Sequence, residues 1–237
     1  MKKMISKVRC AIDTYNMIKN GDKVAVYVSG GKDSIFMLYA LNEIKRYYPQ
    51  KFQIQAITLD PNLNSPNDYY KEIERFCAEK SIPYIIKSFP IFEIIFKIRK
   101  EKNPCSLCSK LRRGILDDCA NDLGCNKVAL GHHFDDLIET FFMNLFNNGN
   151  IDCFRPNTFL SRKNLYAIRP LILCEETHIR NFVKLYGLPV IKSSCPANKT
   201  TQRQKVKEII LNLEKIYPDL KKKTFTAIKK AKPEIWH

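Results

Sequence analysis

No stretch of this 237-residue chain approaches the roughly 20 uninterrupted apolar residues that a bilayer span requires. Residues Met1 to Arg9 lack the apolar core of a secretory signal. Both absences lead to the expectation of a cytoplasmic protein with no membrane partner. There is no internal repeat, low-complexity block or obvious linker. At 45% hydrophobic composition the chain is long enough for one sizeable core, or for a core domain with a small appendage. Acid is scarce relative to base: 24 Asp and Glu against 40 Lys and Arg leave +16, a field that attracts a polyanion such as nucleic acid. Nine cysteines would suggest disulfides in a secreted chain. Without a secretion signal, and with an odd total, they are expected to be thiols or metal ligands.

The hydrophobic pattern alternates between strand and helix. A helix over 6–18 precedes the Asn20-Gly21-Asp22 turn and the β-branched run Lys23 to Val28, short enough for a buried strand. The pattern then gives helix 34–47, strand 52–59, helix 68–80, strand 83–86, helix 109–123, strand 127–130, helix 135–146 and a last strand over 166–168. Helical patterns over 175–186 and 203–217 and a lysine-rich tail from Pro218 complete the chain. This alternation predicts an α/β fold: a doubly wound, mostly parallel sheet with helices on both faces.

Ser29-Gly30-Gly31-Lys32-Asp33-Ser34 sits where the first strand ends and the next helix begins, the edge at which open parallel sheets bind ligands. The glycines permit positive φ and close backbone approach. Successive N–H groups and the helix N-terminus supply partial positive charge to a phosphate. Lys32 adds a full charge, Ser29 and Ser34 offer hydroxyls, and Asp33 is placed to hold Mg²⁺. The segment is neither the Walker pattern nor the three-glycine dinucleotide fingerprint. It resembles the PP-loop signature of the ATP pyrophosphatase superfamily. That resemblance implies attack of a substrate on the α-phosphate of ATP, departure of pyrophosphate and an adenylated intermediate. Asp60 closes the second strand, and Gly131-His132-His133-Phe134-Asp135-Asp136 follows the fourth, so both are expected at the same edge of the sheet.

Pro104-Cys105-Ser106-Leu107-Cys108 puts two thiols in one turn at the start of a helix, followed by Lys110, Arg112 and Arg113. Helix amides and cations favour thiolate there. A lone C-x-x-C reads as half a zinc site, a redox dithiol or two core thiols. Asn198 stands where Cys195 would need a partner for a second pair, and three ligands suit an iron–sulfur cluster with one open iron better than zinc.

Asp22-Lys23 through Ser34, Asn103 through Gly114, and Gly131-His132-His133 through Asn144 resemble the TtcA family of tRNA 2-thiocytidine synthetases over roughly residues 5–210. The resemblance implies an enzyme that uses ATP to adenylate C2 of an anticodon-loop cytidine in tRNA and replaces its oxygen with sulfur. It implies a PP-loop ATPase domain over residues 1–200 and a helical extension over 201–237. It gives catalysis to Lys32, Asp33, Asp60 and Asp136, and nucleotide contacts to these four together with Ser29, Gly30, Gly31, Ser34, Gly131 and His132. A [4Fe-4S] cluster would be held by Cys105, Cys108 and Cys195, with ATP and Mg²⁺ as further cofactors. Partners would be tRNA, bound by basic faces that include Arg99, Lys110, Arg112, Arg113 and the tail Lys221 to Lys223, and a sulfur donor such as a cysteine desulfurase or sulfide. A homodimer is expected. Two departures stand out: many relatives carry a second C-x-x-C at the late cysteine, here Cys195-Pro196-Ala197-Asn198, and Phe134 stands where a charged residue is common. The other six cysteines are expected to be buried or incidental thiols.

Two other readings remain at this point. The same loop chemistry could thiolate a uridine, although terminal zinc-type cysteine pairs are missing. A non-catalytic nucleotide-binding iron–sulfur or RNA-binding protein is a reading of another class, against which Lys32, Asp33, Asp60 and Asp136 argue.

Overall fold

The fold is taken from a computed structural model that describes residues 2–62, 68–99, 104–191 and 202–231. Strand β1 (Lys23–Tyr27) forms from the β-branched run, and its side chains alternate between two cores. Val24 and Val26 join a large apolar cluster on one face, Ala25 and Tyr27 a smaller one on the other. Burial on both faces explains why the run is continuously apolar rather than alternating.

Around β1 lie β2 (Gln53–Asp60), β3 (Tyr84–Ser88), β4 (Lys127–Ala129), β5 (Asn157–Leu160) and β6 (Leu165–Ile168), in the order β3-β2-β1-β4-β6-β5. All pair in parallel except β5, which is antiparallel to β6 at the edge. The chain leaves β1 toward β2 and β3, then crosses back to β4 on the opposite side. The carboxyl ends of β1 and β4 therefore flank the point where the order reverses, and a crevice opens there.

Helices α1 (Lys2–Thr14), α2 (Lys32–Lys45), α3 (Lys71–Glu79), α5 (Phe134–Asn148), α6 (Glu176–Leu185), α7 (Gln202–Ile216) and α8 (Leu220–Ala231) contribute to the larger core. In α1 the inward positions Ile5, Val8, Ala11 and Ile12 fall at helical spacing. Helix α2 lies between α1 and α6 and buries nearly every apolar side chain it has, including Ile35, Phe36, Met37, Leu38 and Leu41. Each such burial contributes about 1.5–3 kcal/mol. Helix α4 (Pro104–Asp122) covers the other face through Leu116, Cys119 and Ala120, with Leu123 just after it. Helices α7 and α8 lie against α5, and Val206, Ile210 and Ile228 enter the main core. Among the described residues no helix is long and apolar enough to cross a membrane.

The structure differs from the sequence pattern at four places. Helix α1 runs over 2–14 rather than 6–18, because Asn16 turns the chain at φ +46° and the Met17 N–H closes back on the Ile12 carbonyl. Helix α4 begins at Pro104 rather than Ser109, since proline suits the first helical position. Strand β5 and a π-helix over Glu93–Ile98 were not expected. Of the remaining cysteines, Cys77, Cys119, Cys125 and Cys174 are buried, and burial pushes the Cys77 and Cys174 thiols up to about 12.

Candidate active site

The loop between β1 and α2 is closed on itself by its two serines. The Ser34 hydroxyl donates to the Gly31 carbonyl (2.9 Å) and accepts from the Ser29 N–H (3.1 Å), and the two hydroxyls are 3.2 Å apart. Gly30 sits at φ +81°, a region that L side chains rarely adopt, and its carbonyl accepts from Ile191 N–H. At Gly131, after β4, a Cβ would lie 3.3 Å from the Ser34 amide nitrogen. The missing side chain is what lets the β4–α5 loop approach the start of α2.

A cavity of about 680 Å³ opens over this meeting point. Its walls include Ser29, Gly31, Asp33 and Ser34 from the loop, Gly131 and His132 after β4, and Cys105, Cys108 and Arg113 from α4. Three segments separated in the chain thus converge, because α4 crosses the face of the sheet under which β1 and β4 end. Cys195, the third thiol expected there, lies outside the described residues. Phe96, from the π-helix and about one-third exposed, also lines this cavity.

Asp33 shares a second cavity of about 190 Å³ with Lys32, His133, Asp136, Glu139, Glu176, Arg203 and Lys207. Lys32 Nζ lies 2.9 Å from Asp33 and 3.0 Å from Glu176. Burial alone would lower the lysine pKa, and the two carboxylates together outweigh it and raise it. Glu176 also receives Lys207 and Arg180. Burial opposes its ionisation, yet hydrogen bonds from Lys207 and Lys32 hold it far below the usual carboxylate range. Asp136 accepts the His133 N–H at 3.0 Å while His133 Nδ1 accepts the Asp136 N–H at 3.3 Å, a reciprocal cap on α5. Arg203 reaches Asp136 at 2.6 Å and Glu139 at 3.5 Å. Burial, then the negative charge of Asp136, pushes Glu139 up to about 7.

The expected residues therefore divide between two neighbouring cavities. Gly30 and Asp60 line neither of them: Gly30 lies against Ile191, and Asp60 ends β2 and accepts the Asn62 N–H at 3.0 Å. Sequence reading missed Glu176, Arg203, Lys207, Glu139 and Tyr27. Only Glu176 carried a signal, as an acid in the first turn of a helix.

Two buried polar atoms at the main cavity have no hydrogen-bond partner: Asp33 Oδ1 and His132 Nδ1. Such atoms are costly in a dry interior and are natural ligand contacts. Burial, then Arg169, lowers the His132 pKa to about 4, so its ring is neutral near pH 7. The ring rests on Phe154 (4.9 Å between centroids), which in turn carries the buried Arg169 guanidinium. No three His, Cys, Asp or Glu side chains among the described residues converge to hold a metal ion. Asp33 Oδ1, a carboxylate oxygen without a hydrogen-bond partner, is a donor of the kind that suits Mg²⁺ arriving with nucleotide phosphates. Cys105 and Cys108, one turn apart and both on the cavity, fit two positions of a thiolate-bound cluster.

The family model described as a PP-loop domain matches residues 2–214. The chain is 37% identical over 234 residues to the tRNA-cytidine(32) 2-sulfurtransferase of Cellvibrio japonicus (strain Ueda107), covering 98% of this chain and 77% of that protein. It is 37% identical over 235 residues to the enzyme of the same name from Dichelobacter nodosus (strain VCS1703A), covering 98% and 86%. Among solved structures, the U34-tRNA thiolase NcsA from Methanococcus maripaludis with its [4Fe-4S] cluster superposes with a TM-score of 0.78 at 28% identity, over 95% of this chain and 77% of that one.

Proposed function

This chain belongs to the PP-loop domain family, and from that membership we propose that it is an ATP-dependent tRNA sulfurtransferase acting on C2 of an anticodon-loop cytidine. The observation that carries the reading is the single cavity in which the glycine loop, the Gly131-His132 turn and the Cys105/Cys108 turn meet. Phosphate binding and sulfur delivery must act on the same base carbon, so they have to share one chamber. The curated relatives, by name tRNA-cytidine(32) 2-sulfurtransferases, support the choice of cytidine.

In this reading the loop amides, Lys32 and the N-terminus of α2 bind the triphosphate, and Asp33 and Asp136 act at its edge. Asp60 belongs to the same proposed set, as do Ser29, Gly30, Gly31, Ser34, Gly131 and His132 for nucleotide contact. The base oxygen attacks the α-phosphorus, and pyrophosphate departs with the electron pair of the broken P–O bond. Cys105 and Cys108, with Cys195, would hold the [4Fe-4S] cluster, which when bound supplies an open iron at which sulfide can be held. Sulfide from a cysteine desulfurase or another donor, a cytoplasmic location, a homodimer, and a helical extension over 201–237 on a PP-loop domain over 1–200 belong to the same proposal.

The likeness to a U34-tRNA thiolase favours uridine as the second reading. Nucleoside mass spectrometry of tRNA from a strain lacking this protein separates the two. Loss of 2-thiocytidine with thiouridines intact is expected; loss of a thiouridine with 2-thiocytidine intact would move the assignment to uridine.

A further inference from the structure

On α4, beyond the two cysteines, Asp117 is buried and uses both carboxylate oxygens: Oδ1 accepts the Tyr27 hydroxyl at 2.7 Å, and Oδ2 faces Arg113 Nε at 3.3 Å. Tyr27 is the last residue of β1, two residues before Ser29 opens the glycine loop. One carboxylate therefore ties the helix that bears the thiols to the strand that bears the loop, and it fixes a guanidinium between them. Because Arg113 is held through Nε, its two Nη groups form a fork, and among the described residues no hydrogen bond occupies them. Arg113 is about one-third exposed and lines the main cavity with Ser29, Gly31, Ser34 and His132.

The surroundings ask for an anion. Arg169, Arg203 and Arg113 disfavour a proton on His132 and Asp136 favours one, so cations outnumber the acid around that end of the cavity. His132 Nδ1 is buried there without a partner. The carboxylate that Arg113 is bonded to, Asp117, has both oxygens engaged. A guanidinium fork anchored through Nε matches two oxygens of one phosphate group.

The geometry points to Arg113 as a catalytic residue that grips the α-phosphate joining base and adenosine, with Asp117 as its positioning residue. This rests on the function proposed above. When the base oxygen bonds to the α-phosphorus and the bond to the pyrophosphate oxygen breaks, negative charge is spread over the non-bridging oxygens. A preoriented guanidinium meets that charge without reorganising. Lys32, held by Asp33 and Glu176 in the neighbouring cavity, serves the departing end of the triphosphate instead. The two cations act on opposite sides of the bond that breaks.

The test measures tRNA-dependent pyrophosphate release by the full chain carrying its cluster. For Arg113→Ala, kcat is expected to fall about a hundredfold while KM for tRNA changes by less than about threefold. Guanidinium ion, at concentrations well below those that unfold the protein, is expected to restore about tenfold of that loss and to leave the wild type unchanged. Arg113→Lys keeps the charge without the fork and should recover only part of the rate. Asp117→Asn should lower kcat about tenfold with iron content retained. Wild-type rates in Arg113→Ala, or a loss confined to KM for tRNA, overturn the inference alone. A wild-type protein that releases no pyrophosphate with tRNA overturns it together with the proposed function.

Discussion

Glu139 shows how single residues here are set by burial against charge. It is 5% exposed, with Asp136 on one side and Arg203 on the other, and its carboxyl is pushed up to about 7. In the unfolded chain the same group titrates near its ordinary 4.5. Between these two values the folded state holds a proton that the unfolded state has lost, so stability falls as pH rises through this window and is flat above it. Glu139→Gln should remove that slope and be more stable than the wild type at pH 8 by on the order of 1 kcal/mol, read from urea midpoints across pH. A parallel slope in the variant would assign the titration to another group. Residue types with a local signature were legible in the sequence: Gly30, Gly31 and Lys32 in their loop, and Cys105 and Cys108 in their turn. Residues whose meaning depends on a distant partner were not. Glu176 matters because Lys32, far away in the sequence, is brought to it where α2 packs on α6, and Asp117 because Tyr27 is brought to it in the same way from β1.

At the scale of elements, the β-branched runs and helical periodicities identified five of the six strands and the helices from α1 to α8 by type. Strand β5 escaped because a short polar edge strand after a proline has no periodicity to read, and it exists only by pairing with β6. The π-helix escaped because its apolar residues, Ile94, Ile95, Phe96 and Ile98, are equally compatible with an ordinary helix. The β4–α5 turn was legible as a segment at the ligand edge of the sheet, and the structure adds a constraint, contact with α2. Gly131→Ala places a methyl group 3.3 Å from the Ser34 amide, a backbone atom that cannot swing aside. The two turns should separate by a few tenths of an ångström, with kcat for pyrophosphate release down about tenfold and folding stability lowered by about 1–3 kcal/mol. Normal turnover in this variant would show that the two turns need not touch for the chemistry.

At the scale of the whole molecule, the order of strands decides where function sits. The strand order reverses between the parallel neighbours β1 and β4, so the glycine loop and the Gly131-His132 turn end side by side. Helix α4, alone among the described α-helices in packing on that face, brings its thiols over the same crevice. The alternation of strand and helix predicted the parallel sheet and its ligand edge, and the quoted motifs predicted the family. The sequence did not reveal that the expected site would divide into two cavities joined at Asp33, because that depends on how α6 and α7 close over Lys32. The +16 charge suits an RNA substrate for such an edge. The most direct test reconstitutes the reaction: anaerobically purified protein with tRNA, ATP and sulfide, with pyrophosphate and thiolated nucleosides both counted. The account predicts pyrophosphate and 2-thiocytidine in equal amounts, each dependent on the other's substrates; pyrophosphate released without any thiolated cytidine would contradict it.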